Sequence, residues 1–314
     1  MTPGKAYLST DEIRPLAERS NLMGFWLVLH CWGTIALAVA LFGVWPNVLT
    51  FVLAVIVIGS RQLGLAILMH EAAHNALFKS RRLNDLVGEW FCGRPILAEL
   101  AAYRHYHLTH HRFTQTDKDP DLVLSSKFPT TRASLKRKFA RDLTGRTGIK
   151  QLAGQIALSL QLAGDEDARK AAASDFAQSF KSQYLWRALP VFLGVMAVMS
   201  LAGDWWWGLA FWLLPYLTWF QFVLRVRNIA EHGATEESEN PLQNVRTTLA
   251  GPLARLLVAP YWVNYHLEHH MVMHVPCWRL RKMHRLLLDK GLGGDMRIAP
   301  NYGQALVEAG WNRH

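Results

Sequence analysis

Apolar and polar positions divide this chain into long uncharged runs and shorter charged intervals. No Lys, Arg, Asp or Glu occurs from Leu22 to Ser60, from Ala188 to Gly203, or from Trp205 to Leu224. An apolar stretch of about 20 residues is long enough to cross a bilayer as a helix. The pattern predicts four spans, at Leu22–Val44, Val48–Met69, Tyr184–Leu201 and Trp205–Val226. The connectors Trp45-Pro46-Asn47 and Ala202-Gly203-Asp204 are short enough to make each pair a hairpin. The expected fold class is all-α and integral to a membrane, with four transmembrane helices in two hairpins and a helical cap.

Two interrupted apolar stretches are not counted as spans. Leu83–Ala102 is broken by Asp85, Glu89, Gly93, Arg94 and Pro95, and Ala250–Trp262 by Pro252 and Arg255. Such segments suit the plane of the interface, as does the Trp205-Trp206-Trp207 run at the second connector. Thr10-Asp11-Glu12 reads as the start of a short helix, where a hydroxyl and first-turn acids satisfy free amides. The first 21 residues lack the apolar core of a cleavable signal peptide, so none is expected.

Charge adds sidedness. The net charge is +10, and the 34 Lys and Arg residues fall almost entirely outside the hairpins. The positive-inside rule then puts both termini and the middle region in the cytoplasm. A single domain results: segment 1–21, hairpin 22–69, cytoplasmic or interfacial region 70–183, hairpin 184–226 and cytoplasmic region 227–314. The basic stretch Lys127–Lys181 reads as surface helices, facing either anionic lipid or an acidic electron carrier. Membrane topology accounts for the basic balance without a nucleic-acid partner.

Candidate chemistry lies at the predicted span ends. Nine of the 14 histidines form His70-Glu71-Ala72-Ala73-His74, His107-Leu108-Thr109-His110-His111 and His266-Leu267-Glu268-His269-His270, plus His232 four residues after Asn228. On a helix, positions i, i+3 and i+4 share a face, so each box aims two or three imidazoles at one spot. One ion does not need nine imidazoles, so the count argues for two ions in one site. Imidazole suits iron, copper, zinc and nickel, so residue type alone does not name the metal. Structural zinc fits poorly, because it closes a four-ligand shell and commonly uses cysteine. Cys31, Cys92 and Cys277 are far apart and form no CxxC. His105 and His274 read as flanking positions, and His30, His284 and His314 as incidental.

The order HEAAH, HLTHH, HLEHH, with Asp119-Pro120-Asp121 after the second box, resembles the membrane fatty acid desaturase/hydroxylase superfamily over residues 22–285. The resemblance implies a di-iron centre at the cytoplasmic face, dioxygen as co-substrate, and attack on an unactivated C–H bond of a lipid acyl chain. It implies His70, His74, His107, His110, His111, His232, His266, His269 and His270 as ligands, with Asn228 reaching an iron through water. Desaturation is favoured over hydroxylation.

The remaining candidates carry two readings each. Glu71, Glu231 and Glu268 adjoin ligand histidines. Helix neighbours point roughly 100° apart, so each Glu would orient an imidazole of another box, or else be solvated. Asp119 and Asp121 are imidazole partners or a turn motif. Arg61 lies within the second span, where an ionisable residue is a functional candidate, here for a substrate headgroup. Snorkelling to the interface is the competing and favoured reading.

No GxGxxG fingerprint and no His-Pro-Gly-Gly haem motif appears. Electrons are therefore expected from a separate donor of ferredoxin or cytochrome b5 type. A competing class is an intramembrane zinc protease, since His70-Glu71-x-x-His74 also satisfies HExxH. That reading leaves seven clustered histidines unused. A metal sensor or transporter would place its ligands within the spans, whereas these boxes lie at or beyond the span ends.

Overall fold

A computed structural model describes residues 3–159, 182–236, 238 and 240–311. The helix anticipated at Thr10 runs Thr10–Leu16, closed by a reciprocal capping pair between Ser9 and Glu12. The first long helix, Asn21–Val44, is apolar all round and leaves Leu22, Leu29 and Leu37 exposed. That is the signature of a helix solvated by lipid, not water.

Val48–Ala73 is the central helix. Asn47 and Thr50 cap its start reciprocally, and the half nearer the first box is buried. Polar contacts register it against the last long helix. Trp219 Nε1 donates to Ser60 Oγ at 2.9 Å, and Gln62 Nε2 to the Trp212 carbonyl at 2.9 Å. Gly59 permits this approach, since a Cβ there would sit 2.9 Å from Trp219 Cβ.

Among the described residues, three helices are long and apolar enough to cross a membrane: Asn21–Val44, Val48–Ala73 and Leu209–His232. The expected third span is occupied by the helix Ser182–Leu201, whose apolar part Leu185–Leu201 is shorter than the other three, and residues 160–181 before it lie outside the described residues. The last span starts later than Trp205, because Asp204 to Trp207 form a turn closed by Trp207 N–H on the Asp204 carbonyl. It is also irregular, with a π turn at Leu209–Leu213 and a break at Thr218 before the helix Trp219–His232.

Both interrupted stretches are broken helices. Arg81–Val87 continues through a π turn to Arg94–Ile96, pinned by Trp32 Nε1 on the Phe91 carbonyl and Trp212 Nε1 on the Pro95 carbonyl. Pro252–Leu257 exposes Leu253 and Leu256. The described basic stretch forms helices Arg132–Leu143 and Arg146–Ser159. Asp142, fully buried, anchors them to the last span by accepting from Arg225 and Thr147. The all-α expectation needs one small amendment, a parallel pairing of Thr247–Thr248 with Ile298–Ala299.

Candidate metal centre

The central helix carries His70 in its last turn and ends at His74. The last span ends at His232. The second box occupies the helix Leu100–Phe113, and the third occupies His266–Met271. Several of these ends are closed by left-handed residues other than glycine: Asn75, Gln115 and Ala234 follow their histidines, and Tyr261 and Trp262 precede the third box. Such backbone is unfavourable for a residue with a Cβ, and it persists where surrounding contacts over-determine it.

All eight boxed histidines and His232 converge, in two groups. His70, His74, His107, His111 and His269 form one, and His110, His232, His266 and His270 the other. Within each group the candidate donor atoms lie within 4.8 Å of one another. Each group mixes boxes, so the second box contributes to both. The groups abut where the His111 and His270 rings stack at 4.1 Å.

The donor set fits metal ions. His107 and His111 face each other Nε2 to Nε2 at 3.0 Å, as do His111 and His269 at 3.0 Å. In the second group the same contacts are 2.8 Å for His232–His266 and 3.1 Å for His266–His270. Metal–imidazole bonds of about 2.1 Å place adjacent ligand nitrogens about 3 Å apart. His110 Nε2 and both ring nitrogens of His74 are buried without a hydrogen-bond partner among the described residues. Burial pushes His107, His111, His266, His269 and His270 well below the ordinary imidazole range, keeping them neutral, as ligands must be. The three cysteines are free and buried outside both groups.

A carboxylate holds the outer nitrogen of one imidazole, His110, and other acids lie close by. Asp119 Oδ1 lies 2.7 Å from His110 Nδ1, and Asp121 Oδ2 lies 3.6 Å away. Burial lowers the His110 pKa, but Asp121 and Asp119 outweigh it and hold the imidazole above its usual value. A carboxylate on one ring nitrogen fixes the tautomer and leaves the other for a metal. Tyr106 donates its hydroxyl to Asp121. Glu231 is held by Arg227 at 2.6 Å, with its Oε2 3.5 Å from His266 Nδ1 in another box. Glu71 accepts the Cys277 N–H at 2.8 Å and lies 3.4 Å from its neighbour His70.

Glu268 bonds none of the nine. It accepts from Thr247 and lies 2.6 Å from His284 Nδ1. His284 reads as incidental in the sequence, yet it is buried and holds the acid of the third box. Its place in the amphipathic helix Cys277–Asp289 was the available signal. His30 lies 3.2 Å from the Tyr261 hydroxyl, and His314 is outside the described residues. Asn228 lines a cavity of about 50 Å³ with His107, His110, His232 and His266. Arg61 does not snorkel: it is 2% exposed, donates to the Leu256 carbonyl and lies over the Tyr261 ring.

Apolar helices that end on two abutting histidine clusters able to hold metal ions define a membrane protein of the histidine-box kind. Residues 43–299 match the fatty acid desaturase family, and the chain belongs to it. It is an oxidoreductase of that family. Dihydrorhizobitoxine desaturase of Bradyrhizobium elkanii is 27% identical over 95% of this chain and 83% of that protein. The β-carotene ketolase of Paracoccus sp. (strain PC1) is 26% identical over 89% of this chain and 96% of its own length. The sn-1 acyl-lipid omega-3 desaturase (ferredoxin) of Nostoc sp. (strain 36) is 24% identical over 69% of this chain and 62% of that protein.

Proposed function

We propose that this chain is an oxygen-dependent desaturase of lipid acyl chains whose nine imidazoles hold two iron ions. The observation that carries the reading is the division of the nine into groups of five and four. One iron would take His70, His74, His107, His111 and His269, the other His110, His232, His266 and His270. Asn228 would reach an iron through water, for which its cavity of about 50 Å³ has room.

Bound there, the iron pair supplies the dioxygen-driven removal of hydrogen from an unactivated methylene. The chain's own residues hold and orient. Asp119 and Asp121 set the His110 tautomer, and Glu231 faces His266. Glu71 and Glu268 brace the first and third boxes from behind. Burial of the site excludes bulk water. Electrons arrive from a separate ferredoxin or cytochrome b5 type protein, the former being the donor in the name of the Nostoc relative. The positive-inside rule puts the site and both termini on the cytoplasmic side of a multi-pass protein.

A second outcome on the same ligands, oxygen insertion into a C–H bond to give an alcohol, is supported by the ketolase relative. A second round of oxidation with dioxygen and donor electrons would carry the alcohol to a ketone. The HExxH protease reading is disfavoured, because Glu71 is engaged by the Cys277 amide, and three further imidazoles crowd His70 and His74.

Metal analysis of the purified chain tests the centre: about two irons per chain under this reading, one zinc under the protease reading. Mass spectrometry of lipids from a host with and without the gene tests the reaction. Desaturation removes two mass units from an acyl chain, and hydroxylation adds sixteen. No change in any acyl lipid overturns the substrate class.

A further inference from the structure

The four-imidazole group draws on three separated chain segments. One short turn, directly after the second box, touches three of its four members. Thr114 Oγ1 donates to the His110 carbonyl at 2.8 Å and lies 3.2 Å from His270 Nδ1. A hydroxyl has one proton. With it committed to the His110 carbonyl, the oxygen accepts from His270 Nδ1–H. That fixes the tautomer of His270 and leaves the Nε2 lone pair facing His266, 3.1 Å away.

Gln115 completes the turn. Its backbone is left-handed at φ 58°, although it is not glycine. Its N–H donates to Asp119 Oδ2 at 2.8 Å, and the other oxygen of that carboxylate holds His110. Its side chain, 5% exposed, donates to the His232 carbonyl at 3.2 Å and to Thr235 Oγ1 at 3.0 Å. The side chain thus crosses from the second box to the end of the last span. Among the described residues, the hydrogen bond from this turn to the five-imidazole group is a long 3.5 Å contact of Thr114 with the His111 carbonyl.

We propose that Thr114 and Gln115 are positioning residues for the four-imidazole half of the centre and set its metal affinity separately from the five-imidazole half. This rests on reading both groups as metal sites. Thr114 fixes a tautomer, and Gln115 fixes the main chain that carries His232.

The test uses the full chain in detergent, loaded with 57Fe and titrated with a chelator. Bound iron is counted, and the two sites are resolved by Mössbauer spectroscopy. Wild type should hold about two irons, while Thr114→Val and Gln115→Ala bind one of them about 10–100-fold more weakly and the other unchanged. Thr114→Ser keeps the hydroxyl and should retain both. Thermal unfolding of the metal-free forms checks that the variants fold alike. Retention of both irons at wild-type affinity, parallel loss of both, or a Ser variant that behaves like Val overturns the assignment. A wild type with fewer than two irons overturns the reading beneath it, before any variant is compared.

Discussion

His284 Nδ1 sits 2.6 Å from Glu268 Oε1, and the carboxylate is fully shielded from solvent. The pair joins the third box to the helix Cys277–Asp289. Removing one partner of a buried pair strands the other in low dielectric, typically at about 3–5 kcal/mol. His284→Ala should therefore destabilise the protein by about 3 kcal/mol and lower its iron content. His284→Gln, which can still donate, should lose less. Equal thermal stability of wild type and His284→Ala would show the pair to be idle.

Asp119→Asn should reduce iron affinity about 10–100-fold, as loss of a carboxylate behind a metal-bound imidazole usually does. The amide removes the charge of the carboxylate that lies nearest His110 Nδ1 among the described residues, at 2.7 Å. Chelator titration reads the change directly.

His107→Ala and His270→Ala each remove one imidazole, one from each group. Both should abolish turnover while the chain still inserts in the membrane. A zinc protease built on His70 and His74 would survive either change, so activity in these variants separates the two chemistries.

Arg61 is braced within the protein, on the Leu256 carbonyl and the Tyr261 ring. Arg61→Ala should cost about 1–3 kcal/mol, the penalty for leaving a buried acceptor unpaired. A headgroup-binding role would instead raise KM at unchanged stability, and steady-state kinetics beside thermal unfolding distinguishes these.

The metal-free protein should weaken in acid. Burial depresses the pKa of His107, His111, His266, His269 and His270 in the fold, so the unfolded chain binds more protons below its own imidazole pKa of about 6.5. Stability should be level above that pH and fall below it, by up to about 1.4 kcal/mol per pH unit for each imidazole. Unfolding of the stripped protein at pH 7.5 and pH 5.5 measures this, and a flat profile would count against depressed values.

The box spacings made the nine imidazoles legible, because i, i+3 and i+4 share a helix face whatever the tertiary fold. Their division into five and four was not legible. His110 and His111 are neighbours in sequence, yet helix geometry turns them to different groups, and only packing decides which. The hairpin starting at Asn21 was readable from its uncharged run. The break at Thr218 was not anticipated, although Pro215 lies three residues earlier in the same span. His284 and Gln115 were missed for a shared reason. Each has an ordinary local context and acts across more than ten positions in the chain.

Neither imidazole group is complete until the third box has been made, since each spans from an early helix to His269 or His270. Synthesis proceeds from the N-terminus, so the first hairpin is made with two of the nine imidazoles, His70 and His74, and no finished cage. A stray ion meeting that intermediate finds only a weak two-imidazole site. If both groups hold metal as proposed, the third box is what closes each of them, and loading is coupled to completion of the fold.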